Sequence, residues 1–279
     1  MQDGLGREID YLRISVTDKC NLRCRYCMPP QGITPLAHEE ILTLEEIFRL
    51  VGIMEQLGIR KVRLTGGEPM VRKNLPWLVE QIHGLCGIRE IAMTTNGTLF
   101  APQAEVYRKA GLTAVNISLD TLDPDKYREI TRVGELSEAL TGIDAAFEAG
   151  FDNIKINNVL MGGFNDDEIE DFVKLTVDRP IEVRFIELMP IGGGMDFDRS
   201  GFISCQQVLS KVPELEPLEH SEGVAVLYRL PGAKGRVGLI RPISCEFCGD
   251  CNKIRLTSDG MLKPCLHSDA ELCIKGLQL

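Results

Sequence analysis

The sequence predicts an α/β fold, an open three-quarter (β/α)6 barrel followed by a small C-terminal antiparallel β lobe. Three observations predict it. A unit made of a β-branched run, a polar loop and an amphipathic helix recurs through the first two-thirds of the chain. The connections are short, which calls for parallel strands and right-handed crossovers. Beyond about residue 200 the pattern changes to short runs paired around Gly-rich turns. The repeating units fall short of the eight that close a full parallel barrel.

The runs that read as strands in the first part are 11–17, 61–65, 90–94, 114–119, 153–161 and 181–188. Helices are expected to begin near Thr43, Asn74, Pro102, Ser137 and Asp166. Thr43 followed by Glu46 makes a capping box, and LEEIFRLVGIMEQLG carries apolar residues at helical spacing. Gly58, Gly111 and Gly150 stand where helices should end. In the tail, GVAVLYRL and RVGLIRP flank PGAKG, and KIRLT and MLKP flank SDG, which reads as two hairpins. The expected division is a core over 1–200 and a lobe over 201–279, with an arm over 1–10 that lacks structure of its own.

Composition narrows the function classes. The 279 residues carry a net charge of −10 and are 44% hydrophobic, an ordinary globular share that excludes wholesale disorder. No apolar run reaches the roughly 18 residues of a membrane span. The start, MQDGLGREIDYLR, lacks the basic and apolar regions of a secretory signal. The acidic balance argues against binding nucleic acid through its phosphates but leaves room for a local basic pocket. Ten cysteines are too few for a disulfide scaffold, and seven of them cluster in two groups. In a chain without an export signal such clusters read as metal sites, and a cytoplasmic location is expected.

The strand ends carry unusual sequences in succession: DKCNLRCRYC, TGGEP, TTNG, SLD, VLMGG and ELMP. In parallel barrels functional residues collect on that face. Cys20-x3-Cys24-x2-Cys27 supplies three thiolates from one loop. A structural zinc wants four ligands, and His38 is eleven residues beyond Cys27, so a zinc reading must borrow a distant ligand. A four-iron cluster normally takes four cysteines, so three leave one iron with an open coordination position. Near the other end, Cys248, Cys251 and Cys265 form a second set; by chemistry alone, a zinc site that also uses Cys245 stands beside the cluster reading.

CNLRCRYC after a first strand resembles the radical S-adenosylmethionine (SAM) superfamily, and TGGEP at 65–69 matches the superfamily's segment near the SAM amino group. The resemblance implies a cluster on Cys20, Cys24 and Cys27 whose open iron chelates SAM, and a 5′-deoxyadenosyl radical that abstracts hydrogen. The segment FCGDCNKIRLTSDGMLKPC resembles the C-terminal signature of the GTP 3′,8-cyclase family of molybdenum-cofactor biosynthesis, and the likeness runs from about Tyr11 to Leu266. It implies two 4Fe–4S clusters, the second on Cys248, Cys251 and Cys265 with a free iron that meets guanine. The implied reaction takes hydrogen from ribose C3′ and joins that carbon to guanine C8. Carried onto matching positions, the SAM contacts are Tyr26, Gly67, Ser118 and Met189. The GTP contacts are Arg13, Arg63, Thr94, Lys155, Lys253 and Arg255, with Arg184 as a weaker candidate. Cationic side chains suit a polyphosphate because guanidinium groups grip phosphate oxygens in pairs. The implied partners are an external electron donor, a downstream pterin-forming enzyme and a second copy of the chain as a homodimer, with neither nucleic acid nor membrane.

The sequence departs from the family pattern at Lys253, where Arg is more usual, and at Cys245, an extra thiol three residues before Cys248 that is expected to be a bystander. The chain stops at IKGLQL. The expectation that follows is a truncated lobe without the family's Gly-Gly tail, which puts turnover in question. Two other readings are carried: a radical SAM peptide-modifying enzyme with an auxiliary cluster, and an inactive member or cluster carrier.

Overall fold

The computed structural model describes residues 1–4, 6–190, 201–219, 223–245, 247–266 and 268–276. The expected boundary at 200/201 falls at the edge of a stretch outside the described residues, as does the end of IKGLQL. Six strands, β1 (Tyr11–Ser15), β2 (Lys61–Thr65), β3 (Glu90–Thr95), β4 (Ala114–Ser118), β5 (Ile154–Leu160) and β6 (Glu182–Glu187), lie side by side in parallel and in chain order. All six expected runs become strands; β2 keeps its expected bounds, β3 gains Thr95, and the other four are trimmed at their ends by up to two residues.

The helices between them are α1 (Leu44–Gln56), α2 (Leu75–His83), α3 (Ala104–Lys109), α4 (Pro124–Thr131), α5 (Leu136–Glu148) and α6 (Ile169–Asp178). The capping box of α1 forms: Thr43 Oγ1 accepts from Glu46 N at 3.1 Å, and Thr43 N donates to Glu46 Oε2 at 2.7 Å. The chain leaves α1 through Gly58 at φ 106°, a left-handed conformation that a side chain would strain. One helix, α4, was not expected. Asp123 caps it by accepting from the amides of Asp125 and Lys126, and Pro124 occupies its first turn. Its segment PDKYREIT is mostly polar, and its inward face is narrow, made of Tyr127, Ile130 and Thr131.

The two expected hairpins form. After α7 (Gln206–Lys211) come β7 (Glu216–Pro217), β8 (Val226–Arg229) and β9 (Arg236–Ile240), and then β10 (Lys253–Leu256), β11 (Met261–Lys263) and β12 (Leu272–Cys273). Within each group the pairing is antiparallel. The inner strand of each group also pairs in parallel with the barrel, β9 with β6 and β10 with β1. One open sheet of twelve strands results, in the order β12-β11-β10-β1-β2-β3-β4-β5-β6-β9-β8-β7. The second cysteine group is thereby fastened beside β1, on the opposite flank from β9.

Alternation along the strands separates the two faces. Leu12, Ile14, Val62, Leu64, Ile91, Met93, Val115, Ile117, Ile156, Val183 and Phe185 join the hydrophobic core. Each such side chain contributes roughly 1.5–3 kcal/mol by leaving water. The intervening residues, from Tyr11 and Arg13 on β1 to Glu182 and Arg184 on β6, point the other way, into the concave lumen.

The arm over 1–10 has structure, contrary to expectation. Gln2 and Glu8 form an antiparallel bridge, Met1 N donates to Ile9 O at 3.0 Å, and Arg7 pairs with Asp3 at 2.6 Å. Ile9 is buried at its end. So short a segment has no period to read; its order comes from these bonds within the arm and from the packing of Ile9 into the core.

Candidate active site

The loop after β1 brings Cys20, Cys24 and Cys27 to a single cavity of about 420 Å³, which Ser15, Thr17, Asp18, Gly66, Gly67 and Thr257 also line. Burial raises the pKa of Cys20 and of Cys24, so thiolates there call for a positive partner such as iron. Asp18 Oδ1 is buried beside them and lacks a hydrogen-bond partner among the described residues. Gly67 is required by close approach: a Cβ on it would lie 2.2 Å from Lys19 O. At Gly66 a Cβ would lie 2.4 Å from Thr17 O. The TGGEP turn thus packs directly against the backbone of the cysteine loop. Its Glu68 is buried, accepting from Thr95 Oγ1 at 2.8 Å, Asn96 N at 2.7 Å and Met70 N at 3.1 Å. Asn96 in turn donates to Asn21 Oδ1 at 2.9 Å, and Asn21 to Thr98 Oγ1 at 2.9 Å. The three strand-end sequences are therefore one hydrogen-bonded assembly.

Among the described residues no three Cys, His, Asp or Glu side chains are gathered about a point that would hold a single metal ion. Zinc ligands crowd one ion at about 2.0–2.3 Å, whereas in a four-iron cluster each thiolate binds a different iron.

Tyr26 lies in the same loop, and its hydroxyl donates to Asp120 Oδ2 at 2.6 Å. Asp120 also accepts from Val159 N at 2.9 Å, and burial pushes its carboxyl up to about 6. Ser118 ends β4, in register with Asn157 of β5. Met189 follows β6 and is half-buried.

The residues expected to meet GTP share the lumen. Arg255, Arg13 and Arg63 are aligned across β10, β1 and β2 at one register level. Arg63 Nη1 donates to Thr94 Oγ1 at 3.1 Å, and its Nε donates to Tyr11 Oη. Arg13 Nε is buried and has no partner among the described residues. Burial, with Arg255 and Arg63 alongside, brings its pKa down to about 10. Lys155 is buried on β5, 3.5 Å from Glu182, which also pairs with Arg236 at 2.6 Å and with Arg184. Burial disfavours the charge on Glu182, yet Arg184 and Lys155 hold its carboxyl below the ordinary value. Asn116 Oδ1, between Thr94 and Lys155 in register, is a further buried acceptor without a partner among the described residues. An acidic protein therefore encloses a cationic lumen with unmet hydrogen-bonding capacity.

Arg13 and Arg63 sit at the middle of β1 and β2, Lys155 near the start of β5 and Arg255 one residue before the end of β10, so they lie within the strands and not in the loops beyond their C-terminal ends. Tyr11, Lys61, Asn116, Asn157 and Arg236 face the same lumen and were overlooked. The signal was present: in KVRLT, YLRIS and KIRL, charged or polar residues alternate with apolar ones. Lys61 pairs with Glu90 at 2.7 Å and lies over the Tyr11 ring.

The second cysteine group lies by the starts of β10 and β1. Burial lowers the Arg255 pKa while Cys265 and Cys251 pull it the other way. Burial also lowers that of Lys253, with Cys251 and Tyr11 opposing. Arg7 of the N-terminal arm donates to Cys248 O at 3.1 Å. Cys245 is exposed, its amide bonded to Arg241 O at 3.1 Å.

The radical SAM superfamily matches residues 14–176, and the family described as Molybdenum Cofactor Synthesis C matches residues 181–277. A GTP 3′,8-cyclase of Alkaliphilus oremlandii is 54% identical over 275 residues, spanning 98% of this chain and 86% of that protein. The chain belongs to the GTP 3′,8-cyclase family, within the radical SAM superfamily. Similar relatives with the same name occur in Alkaliphilus metalliredigens, 55% identical over 273 residues with 98% and 85% coverage, and in Clostridium botulinum, 48% identical over 277 residues with 99% and 87%. Among solved structures, Streptococcus suis SuiB bound to S-adenosylmethionine matches with a TM-score of 0.68 at 15% identity. The match covers 95% of this chain and 63% of SuiB. Methylornithine synthase matches with a TM-score of 0.58 at 19% identity over 74% of this chain and 62% of that one. At such identities the likeness speaks for the open barrel alone. The superfamily match ends within α6, and the second begins beside β6, so both hairpins belong to the latter.

Proposed function

We propose that this chain is a GTP 3′,8-cyclase acting in the first step of molybdenum-cofactor biosynthesis. The observation that carries the reading is the row of Arg255, Arg13 and Arg63 across β10, β1 and β2, on the strand whose end leads into the loop of Cys20, Cys24 and Cys27 and whose start lies by Cys251. Membership of a family whose relatives bear that name supports it.

In this reading Cys20, Cys24 and Cys27 hold one 4Fe–4S cluster and Cys248, Cys251 and Cys265 another. Bound at the first, SAM supplies the capacity to remove a hydrogen atom from an unactivated carbon. The protein's own part is placement. Tyr26, held by Asp120, with Gly67, Ser118 and Met189, seats SAM at the ends of the strands. Arg13, Arg63, Thr94, Lys155 and Arg255 bind GTP within the lumen, and Lys253 adds charge without a guanidinium fork. The row of Arg255, Arg13 and Arg63 faces phosphate oxygens with charge-assisted hydrogen bonds. Ribose C3′ is thereby presented toward the first cysteine loop and guanine toward the second group. Enclosure by the sheet keeps water from competing for the reacting carbon. Cys245 stays outside the ligand set. An external reductant delivers the electrons, a pterin-forming enzyme takes the cyclised product, and the chain works as a cytoplasmic homodimer. No described helix is long and apolar enough to cross a membrane.

Anaerobic reconstitution with iron and sulfide tests the reading. About eight irons per chain are expected, as for two four-iron clusters, with an electron-nuclear double resonance signal from the second cluster that changes on adding GTP. About four irons, or a second cluster indifferent to GTP, would count against it.

A further inference from the structure

The last carbonyls of any helix lack donors within the helix. In α4 the three-cysteine loop supplies them. Arg25 N donates to Ile130 O at 2.9 Å and Arg23 N to Thr131 O at 3.1 Å. The next residue, Arg132, caps α4 in the left-handed region at φ 65°, where a residue other than glycine is strained unless its surroundings hold it. Its Nη1 donates to Arg23 O at 2.6 Å and to Met28 O at 2.8 Å. Those two carbonyls bracket the segment that carries Cys24 and Cys27. Arg23 is gripped at both its amide and its carbonyl, from one helix end.

Packing follows the same line. Leu22 and Met28 are buried at either end of the gripped segment. Gly134 lets Leu22 approach: a Cβ there would lie 2.9 Å from Leu22 Cδ2. Arg25 and Glu129 form an ion pair at the rim. The helix itself is anchored by Tyr127, Ile130 and Thr131, so the Arg132 side chain is not needed to seat it.

We propose that Arg132 is the positioning residue of the three-cysteine loop. From a strained left-handed cap, one guanidinium nitrogen bridges the carbonyls of Arg23 and Met28 and fixes the conformation in which Cys24 and Cys27 reach the cavity. The proposal rests on the reading of Cys20, Cys24 and Cys27 as cluster ligands. It accounts for the strain at Arg132 and places the α4 terminus in the site's supporting structure.

Arg132→Gly removes the side chain and relieves the backbone, which isolates the bridge. In the full chain before reconstitution, amide exchange at Arg23 and Arg25 is expected to quicken about tenfold, the effect of losing a charge-assisted hydrogen bond. Alkylation of Cys24 and Cys27 should change while that of Cys248, Cys251 and Cys265 stays as in the unmodified chain. After reconstitution, SAM cleavage should fall by about 10–100-fold, as expected for a misplaced site. Arg132→Lys should restore much of each property, because one ammonium can bridge the same two carbonyls. Unchanged exchange and alkylation in Arg132→Gly would overturn the proposal, and so would faster exchange spread evenly over the sheet and α5. A Cys24→Ala chain that keeps its first cluster would instead overturn the ligand reading, and the exchange result would still report on Arg132.

Discussion

Arg13 and Glu182 represent the two ways in which the lumen handles charge. Arg13 is a buried cation flanked by cations, with Nε lacking a partner among the described residues. A bound phosphate oxygen would meet that need. Arg13→Ala is expected to raise the KM for GTP by about 10–100-fold, the worth of a charge-assisted hydrogen bond, while SAM affinity holds. Steady-state kinetics with each substrate varied in turn would check this, and equal losses for both would contradict it. Glu182 is a buried carboxylate to which Lys155, Arg184 and Arg236 all pair. Its pKa lies below the ordinary 4.5 despite burial, so its stabilising effect is complete above that value and is lost as pH falls through the lowered one. Glu182→Gln should cost about 3–5 kcal/mol at pH 7, since it strands buried cations. The deficit should shrink as pH falls below 4.5. Denaturant unfolding at pH 7 and at acid pH would decide it, and a constant deficit would be contrary.

Elements differ in how far their residues announce them. The six parallel strands were legible because each is short, β-branched and bounded by turn residues, and α1 because its capping box and apolar stripe agree. α4 escaped because its inward face, Tyr127, Ile130 and Thr131, is narrow in a mostly polar segment, although Asp123 and Pro124 marked its start. The cysteine loop and the TGGEP turn were legible as motifs. Their mutual contact was not, because it depends on two segments far apart in the chain meeting without a Cβ between them. Gly67→Ala should force Lys19 away and lower SAM cleavage by about 100-fold, in line with an ångström-scale misplacement. Reconstituted iron and SAM cleavage measured together would test this, and wild-type values would refute the close packing. The polar alternation of the strand interiors was visible in KVRLT and KIRL but easily passed over. Charge was expected at the strand ends, whereas the alternation along β1, β2 and β10 turns Arg13, Arg63 and Arg255 together into the lumen.

At the scale of the whole molecule, the residues after 200 are bound into the barrel. β9 extends the sheet from β6 and β10 extends it from β1, so both edges of the six-stranded core are covered by later chain. A chain cut after residue 190 is therefore expected to expose two long edges and to aggregate. Soluble, monomeric protein with native amide protection in β1 and β6 would contradict that. The same arrangement sets the second cysteine group against the start of β1, with the cationic row of Arg255, Arg13 and Arg63 beside it. In the proposed function GTP lies in that lumen with its ribose offered to the first loop. GTP carrying deuterium at C3′, incubated anaerobically with reductant, SAM and the reconstituted protein, tests it most directly. Deuterium is predicted in the 5′-deoxyadenosine released, together with a cyclised nucleotide. Deoxyadenosine free of deuterium, formed at the same rate with or without GTP, would contradict the account.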